Sequence, residues 1–334
     1  MPGASNARRD ICTAFSSGLT AKGRVGIFAK PSTAIDFVSL MPQCRRCSIR
    51  SILQLCLCLS LSCGFTGCAA KLKKAAASSF MNDVAAATAK QNDVSLVTQA
   101  LPTYVLLTEG LLESNPDDTD LLTSATQLYL LYGSMVETQD VDRSRRLYAR
   151  AKDCGLRAFS RNEEIERLIT APYSEFEQVT DHLKRRDLPV VFWAASAWGA
   201  WISLSAESMA ALADLPKVIH LMEWVLAKDE AYFAGSPHLF LGMYHAALPP
   251  VLGGRPEKAL EHFDRALEIS GGRSLNIKVQ KARFYARQIF DRELYESLLK
   301  QVLVQPLDAS EFTLQNATAK IMAKKLLEEI DEVF

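Results

Sequence analysis

Cysteine is scarce in most of this chain. Cys154 is the only cysteine after residue 68, and the other seven of the eight lie at or before that position. One cysteine cannot form a disulfide framework within a single chain. Cys44 and Cys47 form a C-x-x-C pair, but no second pair completes the ligand set of a zinc site. A disulfide-stabilised fold and a zinc site of paired cysteines are therefore excluded. Cys154 is expected to be a small apolar residue beside Gly155.

The sequence also lacks a strong charge of one sign. Its 38 basic and 38 acidic residues give a formal net charge of zero, but eight of the basic and two of the acidic residues precede Cys68. The chain from Cys68 onward thus has 30 basic and 36 acidic residues, a formal charge of about −6. A mildly acidic chain without a run of basic residues argues against a nucleic-acid partner.

Motifs of catalytic and cofactor sites are missing as well. The chain contains no G-x-S-x-G, no Walker loop and no G-x-G-x-x-G. His238 and His245 are seven residues apart and could share a helical face, but the five histidines form no H-E-x-x-H or other recognised ligand set. We therefore predict no enzyme activity, no metal site and no cofactor. The five histidines are His182, His220, His238, His245 and His262.

The clearest feature that is present is an N-terminal targeting segment. Three arginines precede an uncharged, leucine-rich run from Ser51 to Ala70, in which Phe65-Thr66-Gly67 leads to Cys68. A basic region, an apolar region and small residues before a cysteine are typical of a lipoprotein signal peptide, with Cys68 as the acylated residue. Cys63 fits this pattern less well. The alternative is an uncleaved membrane helix, because the run could just span a bilayer.

This segment divides the chain into three predicted parts. Residues 1–67 contain the signal peptide, for which Met41 offers a start, and residues 68–80 form a lipidated N-terminus and tether. Residues 81–334 form the helical domain. We predict a periplasmic protein that is attached to a membrane by the acyl chains of Cys68.

Within that domain, Pro237 to Gly272 has the pattern of a helix, a turn and a second helix. Ala259, Phe263 and Ala266 place a small, a large and a small side chain on one face, the A-x3-F-x2-A pattern of a tetratricopeptide helix. Leu241-Gly242 resembles the Leu-Gly pair of the preceding helix in such a repeat. Pro249-Pro250 ends the first predicted helix, and Pro256 begins the second.

Weaker copies of this pattern precede it. Ser144, Tyr148 and Ala151 follow a predicted helix from Asp120 to Met135, and Val218, Met222 and Val225 follow one from Val190 to Leu204. We predict an all-α, tetratricopeptide-like array of about four degenerate helix-turn-helix repeats with a concave surface. The segment from Ala319 to Phe334, with Ile321 on its apolar side, is predicted to be a capping helix or part of a subunit contact.

Several segments resemble one family in particular. They are FWAASAWGAWISLS from Phe192, SPHLFLG from Ser236, PPVLGG from Pro249 and KARFYARQIFDRELYESLLKQVL from Lys281. They resemble TatT, the T component of tetratricopeptide-protein-associated TRAP transporters, over roughly residues 101–334, and point to a spirochaetal member. The resemblance implies an all-helical periplasmic lipoprotein, a homotrimer, that partners a TRAP substrate-binding protein and helps to deliver hydrophobic organic acids.

The candidate binding residues are mostly aromatic. Trp193, Trp198 and Trp201 share one predicted helix and cover most of its circumference, so they either pack between neighbouring repeats or line an apolar cavity. Under the second interpretation Phe240 and Tyr244 join them, and Arg273 binds the carboxylate of the ligand.

Two functions are consistent with these features. The first is an accessory component of a TRAP-type transporter that binds the substrate-binding protein and a hydrophobic carboxylate. The alternative is a lipoprotein scaffold that holds protein partners during envelope assembly. A transport component should line an apolar cavity with the aromatic residues, whereas a scaffold should pack them and expose a polar groove.

Overall fold

The computed structural model describes residues 81, 83–247, 254–307 and 311–334. The predicted signal peptide, Cys68, the tether and Pro249-Pro250 lie outside these residues. The described part of the chain consists of helices and connecting turns without a strand, which confirms the all-α class.

From Val94 onward, eleven helices form the architecture of the described residues. They are α1 Val94–Ser114, α2 Thr119–Val136, α3 Val141–Phe159, α4 Glu163–Thr170, α5 Leu188–Ser203, α6 Leu215–Lys228, α7 Tyr232–Ala247, α8 Pro256–Ile269, α9 Leu275–Gln280, α10 Arg292–Val304 and α11 Thr313–Glu328. Short helical turns at Tyr173–Phe176, Glu177–His182, Arg185–Asp187, Met209–Ala213 and Ile330–Val333 join or follow them. A π-helical turn, Lys281–Ala286, continues α9.

Side-chain caps fix several helix starts. The carboxylates of Asp93, Asp118 and Asp140 accept hydrogen bonds from backbone N–H groups in the first turns of α1, α2 and α3. Pro256 is the first residue of α8, where its missing N–H costs no helical hydrogen bond. Two of these starts were predicted from sequence, at Asp120 and Pro256, and both are confirmed to within about one residue.

Consecutive helices pack against one another along the chain. The pairs α2–α3, α5–α6 and α7–α8 are in contact, and α3 also packs on α5. Close approach depends on glycine at two of these contacts. A Cβ atom on Gly242 of α7 would lie 3.2 Å from the ring of Phe263 in α8, and one on Gly155 of α3 would lie 3.0 Å from the Cα atom of Ala194 in α5.

The residues from which the helix-turn-helix repeats were predicted are all in the core. Ala259, Phe263 and Ala266 are fully buried, and so are Val218, Met222 and Val225. Ser144, Tyr148 and Ala151 are buried too. Cys154 is also buried, as expected for an apolar residue, and burial raises the pKa of its thiol to about 11.

The C-terminal segment differs from its prediction in two respects. Ile321 was expected on the apolar side, but 59% of it is exposed, whereas Ala319 and Ala323 of the same helix are buried. The two alanines lie about 200° around the helix from Ile321, and their small side chains let α11 approach α9 closely. The helix also ends at Glu328, before the short turn Ile330–Val333.

The last helices contact the first ones. Leu314 of α11 is buried in one cluster with Val97 and Leu101 of α1 and with Tyr132 and Met135 of α2. Leu314 is more than 200 positions from Val97 and Leu101, so α1 and α11 share a core.

Polar contacts also join the C-terminal part of the chain to the turn between α2 and α3. The guanidinium of Arg283 lies 3.4 Å from the carboxylate of Glu137, which also accepts a hydrogen bond of 2.9 Å from the Tyr148 hydroxyl. Lys325 donates a hydrogen bond of 3.4 Å to the carbonyl oxygen of Thr138. The turn between α2 and α3 is thereby tied to both the π-helical turn and α11.

A left-handed turn precedes the regular part of α7. Phe233, Ala234 and Gly235 have φ angles of 45°, 57° and 80°, so the right-handed helix runs from Ser236. Only glycine adopts such angles freely, and each of the other two residues costs about 1–2 kcal/mol. Pro237 then lies in the first helical turn, where proline is tolerated.

None of the helices among the described residues combines the length and the apolar composition that a membrane span requires.

Candidate functional site

The aromatic helix α5 lies in the largest core cluster. Trp198 is 2% exposed, and its ring meets that of Phe176 edge to face at 6.3 Å. Trp193, Trp201 and Phe240 are half-buried and pack against the same cluster. The structure therefore brings together four of the five predicted aromatic residues, with Trp198 inside the protein and the other three nearer its surface.

Trp198 has an unusual polar environment. Its indole N–H is buried and has no hydrogen-bond partner among the described residues. The ammonium group of Lys217 lies 5.8 Å from the centre of its ring and 5.7 Å from that of Phe176. Lys217 is itself buried, and it is held by the carbonyl oxygen of Ile169 and a carboxylate oxygen of Asp214, each at 3.0 Å. These two oxygen atoms serve as hydrogen-bond acceptors for the ammonium group of Lys217. This part of the cluster is therefore a structural core.

A second lysine lies against the ring of Trp201. The ammonium group of Lys152, from α3, lies 3.5 Å above the centre of the Trp201 ring. Burial lowers the pKa of Lys152, and the charge of Asp214 partly offsets this effect. Lys152 forms no salt bridge with a carboxylate of the described residues, so the charges of Asp214 and Asp153 act on it from beyond salt-bridge distance while its ammonium group lies against the face of the indole ring. A half-buried cation on an aromatic surface is suited to an anionic group with an apolar body.

The left-handed turn covers Trp193. The Phe233 ring, 57% exposed, lies 5.1 Å from that of Trp193, and the neighbouring Tyr232 ring lies 5.1 Å from Phe192. Beneath the turn is a cavity of about 10 Å³, room for one water molecule, between Phe233, Leu239, Ile277 and Phe312.

Phe240 and Tyr244 extend from this cluster along α7. A Cβ atom on Gly199 would lie 2.7 Å from the Phe240 ring, so the missing side chain admits that ring against α5. Tyr244 lies further on, where its ring is 5.0 Å from that of His245.

Arg273 lies apart from the tryptophans. It is on the surface before α9, where its guanidinium is 3.3 Å from the Glu311 carboxylate and 5.2 Å from the Phe312 ring. Neither this residue nor the five predicted aromatic residues line either of two cavities of the described residues, of which the smaller is the one beneath the left-handed turn. The larger of these is an open groove of about 440 Å³ along α10, lined by Glu293, Glu296, Ser297, Lys300, Gln301 and Val304.

A histidine cluster lies between α7 and α8. The Nδ1 atoms of His238 and His262 are 2.9 Å apart, and the rings of His245 and His262 stack with centres at 5.6 Å. Burial, followed by the two neighbouring histidines, lowers the pKa of His262 to about 4. Burial also lowers the pKa of His245, with Lys258 and Arg255 as further causes.

Sequence reasoning missed Lys152, Lys217, Phe233 and the role of His262. The seven-residue spacing of His238 and His245 was the only signal for the histidine cluster, and nothing in the sequence linked α8 to it. The two lysines come from different helices than the tryptophans they meet, so only tertiary packing reveals them.

The chain belongs to the TRAP transporter T-component family, TatT, which matches residues 90–334. This confirms the family resemblance of the aromatic and glycine-rich segments. The family is one of transport components and not of enzymes.

A protein of the spirochaete Treponema pallidum (strain Nichols), described as uncharacterized, is 24% identical to this chain over 200 residues. The match covers 53% of this chain and 61% of that protein, so the chain spans less than two thirds of the relative's length. Its origin agrees with the expectation of a spirochaetal member.

Proposed function

We propose that this protein is the lipid-anchored T component of a TRAP-type transporter in the periplasm, where it binds the substrate-binding protein. Family membership over residues 90–334 is the observation that supports this proposal most directly. The signal-peptide pattern that ends at Cys68 supports the anchor and the three-part division into residues 1–67, 68–80 and 81–334. The stacked helix pairs are consistent with a tetratricopeptide-like array that presents a binding surface.

Sedimentation of the purified protein, alone and mixed with its substrate-binding protein, tests this function. We expect a defined complex and, for the protein alone, the mass of a homotrimer. If the two proteins sediment independently at high concentration and in the presence of candidate acids, the transport role is wrong.

The same proposal includes an apolar carboxylate as ligand. The half-buried ammonium group of Lys152 on the Trp201 ring is the observation that favours this ligand, because it offers a cation beside an aromatic surface. Lys152 therefore replaces Arg273 as the proposed partner of the carboxylate, since Arg273 already faces Glu311. Trp193 and Phe240 lie on the solvent side of the same cluster and would contact the apolar body.

We predict that Lys152→Met weakens the binding of a medium-chain carboxylate by roughly tenfold to a hundredfold, because a charge-assisted contact of about 1.5–3 kcal/mol is lost. Arg273→Met is the matched control and should leave the affinity unchanged. Calorimetry with the acid and with the corresponding alcohol measures both effects. Equal affinity of the wild type for acid and alcohol would contradict the proposed head-group contact.

The scaffold function remains the second candidate, and the packing of Trp198 favours it. This ring is 2% exposed and fills the core, as expected if the tryptophans hold neighbouring helices together. Binding of an envelope protein without any effect of carboxylates, and no complex with a substrate-binding protein, would support this alternative.

A further inference from the structure

The contact between His238 and His262 limits how many protons the pair can hold. Their Nδ1 atoms are 2.9 Å apart, so one nitrogen must donate a hydrogen bond and the other must accept it. The Nε2 atom of His238 lies 3.2 Å from a carboxylate oxygen of Glu230 and donates to it. In the neutral pair, His262 donates to His238 and His238 donates to Glu230, and both bonds are made.

The closed pair of His238 and His262 can bind one added proton but not two. If His238 is protonated, it donates from both nitrogens, and His262 accepts at Nδ1 by changing its tautomer. If His262 is protonated as well, two N–H groups point at each other across a hydrogen-bond distance. Two positive rings would also face each other in a place that is mostly closed to water, because the His238 side chain is 11% exposed.

The charges around the pair reinforce this limit. Arg265 donates to Glu230 at 2.5 and 3.1 Å and also faces Glu268, so Glu230 is shared between His238 and a guanidinium. These contacts, with that to Arg265 the largest, lower the pKa of Glu230 to about 2. On the other side, Lys258 disfavours the charged form of both His262 and His245, and Arg255 does so for His245. The surroundings of His262 therefore contribute positive charge.

The pair is also connected to the strained turn over Trp193. Glu230, which His238 and Arg265 hold, lies three residues before Phe233. Phe233 and Ala234 are in the left-handed region, so they keep this conformation only while their surroundings hold them. Separation of α7 from α8 would loosen both the hydrogen bond to Glu230 and the turn.

We propose that His238, His245 and His262 form a proton-sensitive contact between α7 and α8, which opens at mildly acidic pH and releases the Phe233 turn from Trp193. The neutral form of His262 stabilises the closed contact fully above about pH 6.5, the ordinary pKa of histidine, and this stabilisation decreases as the pH falls towards 4. An effect on ligand binding rests on the proposed function, whereas the opening itself does not.

Amide hydrogen exchange of the full chain tests this proposal. After correction for intrinsic rates, protection in α7, α8 and the turn should fall roughly 20-fold between pH 7 and pH 5, as expected when one histidine takes up a proton on opening. His262→Gln should remove most of this dependence, because the amide can still donate or accept at the same place without titrating. His182→Gln is the matched control, since His182 is exposed, and it should behave like the wild type.

An NMR titration of the histidine rings in the wild type provides a test that does not depend on a variant. The pKa of His262 should lie well below the ordinary value of histidine, and protection in α7 and α8 should fall in the pH range between that ordinary value and the His262 midpoint. The proposal is overturned if all five histidines titrate together near pH 6.5, or if protection is the same at pH 7 and pH 5. It is also overturned if a folded His262→Gln protein keeps the full pH dependence.

Discussion

At the scale of single residues, glycine has two different roles in the helices of this protein. Gly242 faces the Phe263 ring, where a Cβ atom would lie at 3.2 Å, and Phe263 is fully buried and cannot move aside easily. Gly110, in α1, has no atom of the described residues outside its own helical turn within 4 Å of the position that a Cβ would occupy. The first glycine is required by packing, and the second only weakens its helix.

We therefore predict opposite effects of the same substitution at these positions. Gly242→Ala should lower the free energy of unfolding by about 1–2 kcal/mol, because overpacking outweighs the gain in helix propensity. Gly110→Ala should raise it by about 0.5–1 kcal/mol. Urea unfolding monitored by circular dichroism measures both. A stabilised Gly242→Ala protein would contradict the close approach of α7 and α8.

The candidate site also shows how residues of one type differ in environment. Sequence placed three tryptophans on one helix, and the structure buries Trp198 while leaving Trp193 and Trp201 half-exposed. Amphipathic periodicity could not rank them, because aromatic residues cover most of the circumference of α5. The neighbouring helices decide the outcome, and they also supply the lysines.

At the scale of elements, the left-handed turn before α7 is the clearest departure from local preference. Phe233 and Ala234 adopt positive φ angles without being glycine. Contacts of Phe233 with Trp193, and of Glu230 with Arg265, offset part of this cost. Such strain marks a segment whose conformation depends on tertiary contacts.

Replacement of Ala234 by glycine should therefore stabilise the protein by about 0.5–1 kcal/mol, because the loss of left-handed strain exceeds the entropic cost of glycine. Ala149→Gly, in the middle of α3, should instead destabilise it by about 1 kcal/mol. Thermal unfolding of the two variants provides the comparison. If both variants lose stability equally, Ala234 is not strained in solution.

At the scale of the whole molecule, the contact of α11 with α1 and α2 makes the chain more than a linear stack. In an open array each repeat contacts only its neighbours, and the ends open independently. Here Leu314 packs with Val97 and Leu101, and Arg283 reaches Glu137. Stability at one end should consequently depend on the other.

Leu314→Ala tests this dependence. We expect a loss of about 2–4 kcal/mol from the deleted buried side chain, with faster amide exchange in α1 and α2 as well as in α11. Ile321→Ala, on the exposed side of the same helix, should change stability by less than about 0.5 kcal/mol. Faster exchange confined to α11 would show that the two ends are independent.

The all-α class, several helix boundaries and the family could be predicted from the sequence alone. Local signals specify these properties: cap residues and prolines set helix starts, and the spacing of small and large residues identifies buried faces. The spacing of Ala259, Phe263 and Ala266 was sufficient to place all three in the core.

Which residues meet across helices could be seen only from the packing of the folded chain. It placed Lys152 on Trp201, His262 against His238 and Leu314 against α1, and it separated Arg273 from the tryptophans. It also buried Ala319 and Ala323 in place of Ile321, since close helix contact favoured small side chains over hydrophobicity. These outcomes depend on how helices distant in sequence stack, and a periodic pattern along one helix carries no information about its distant neighbours.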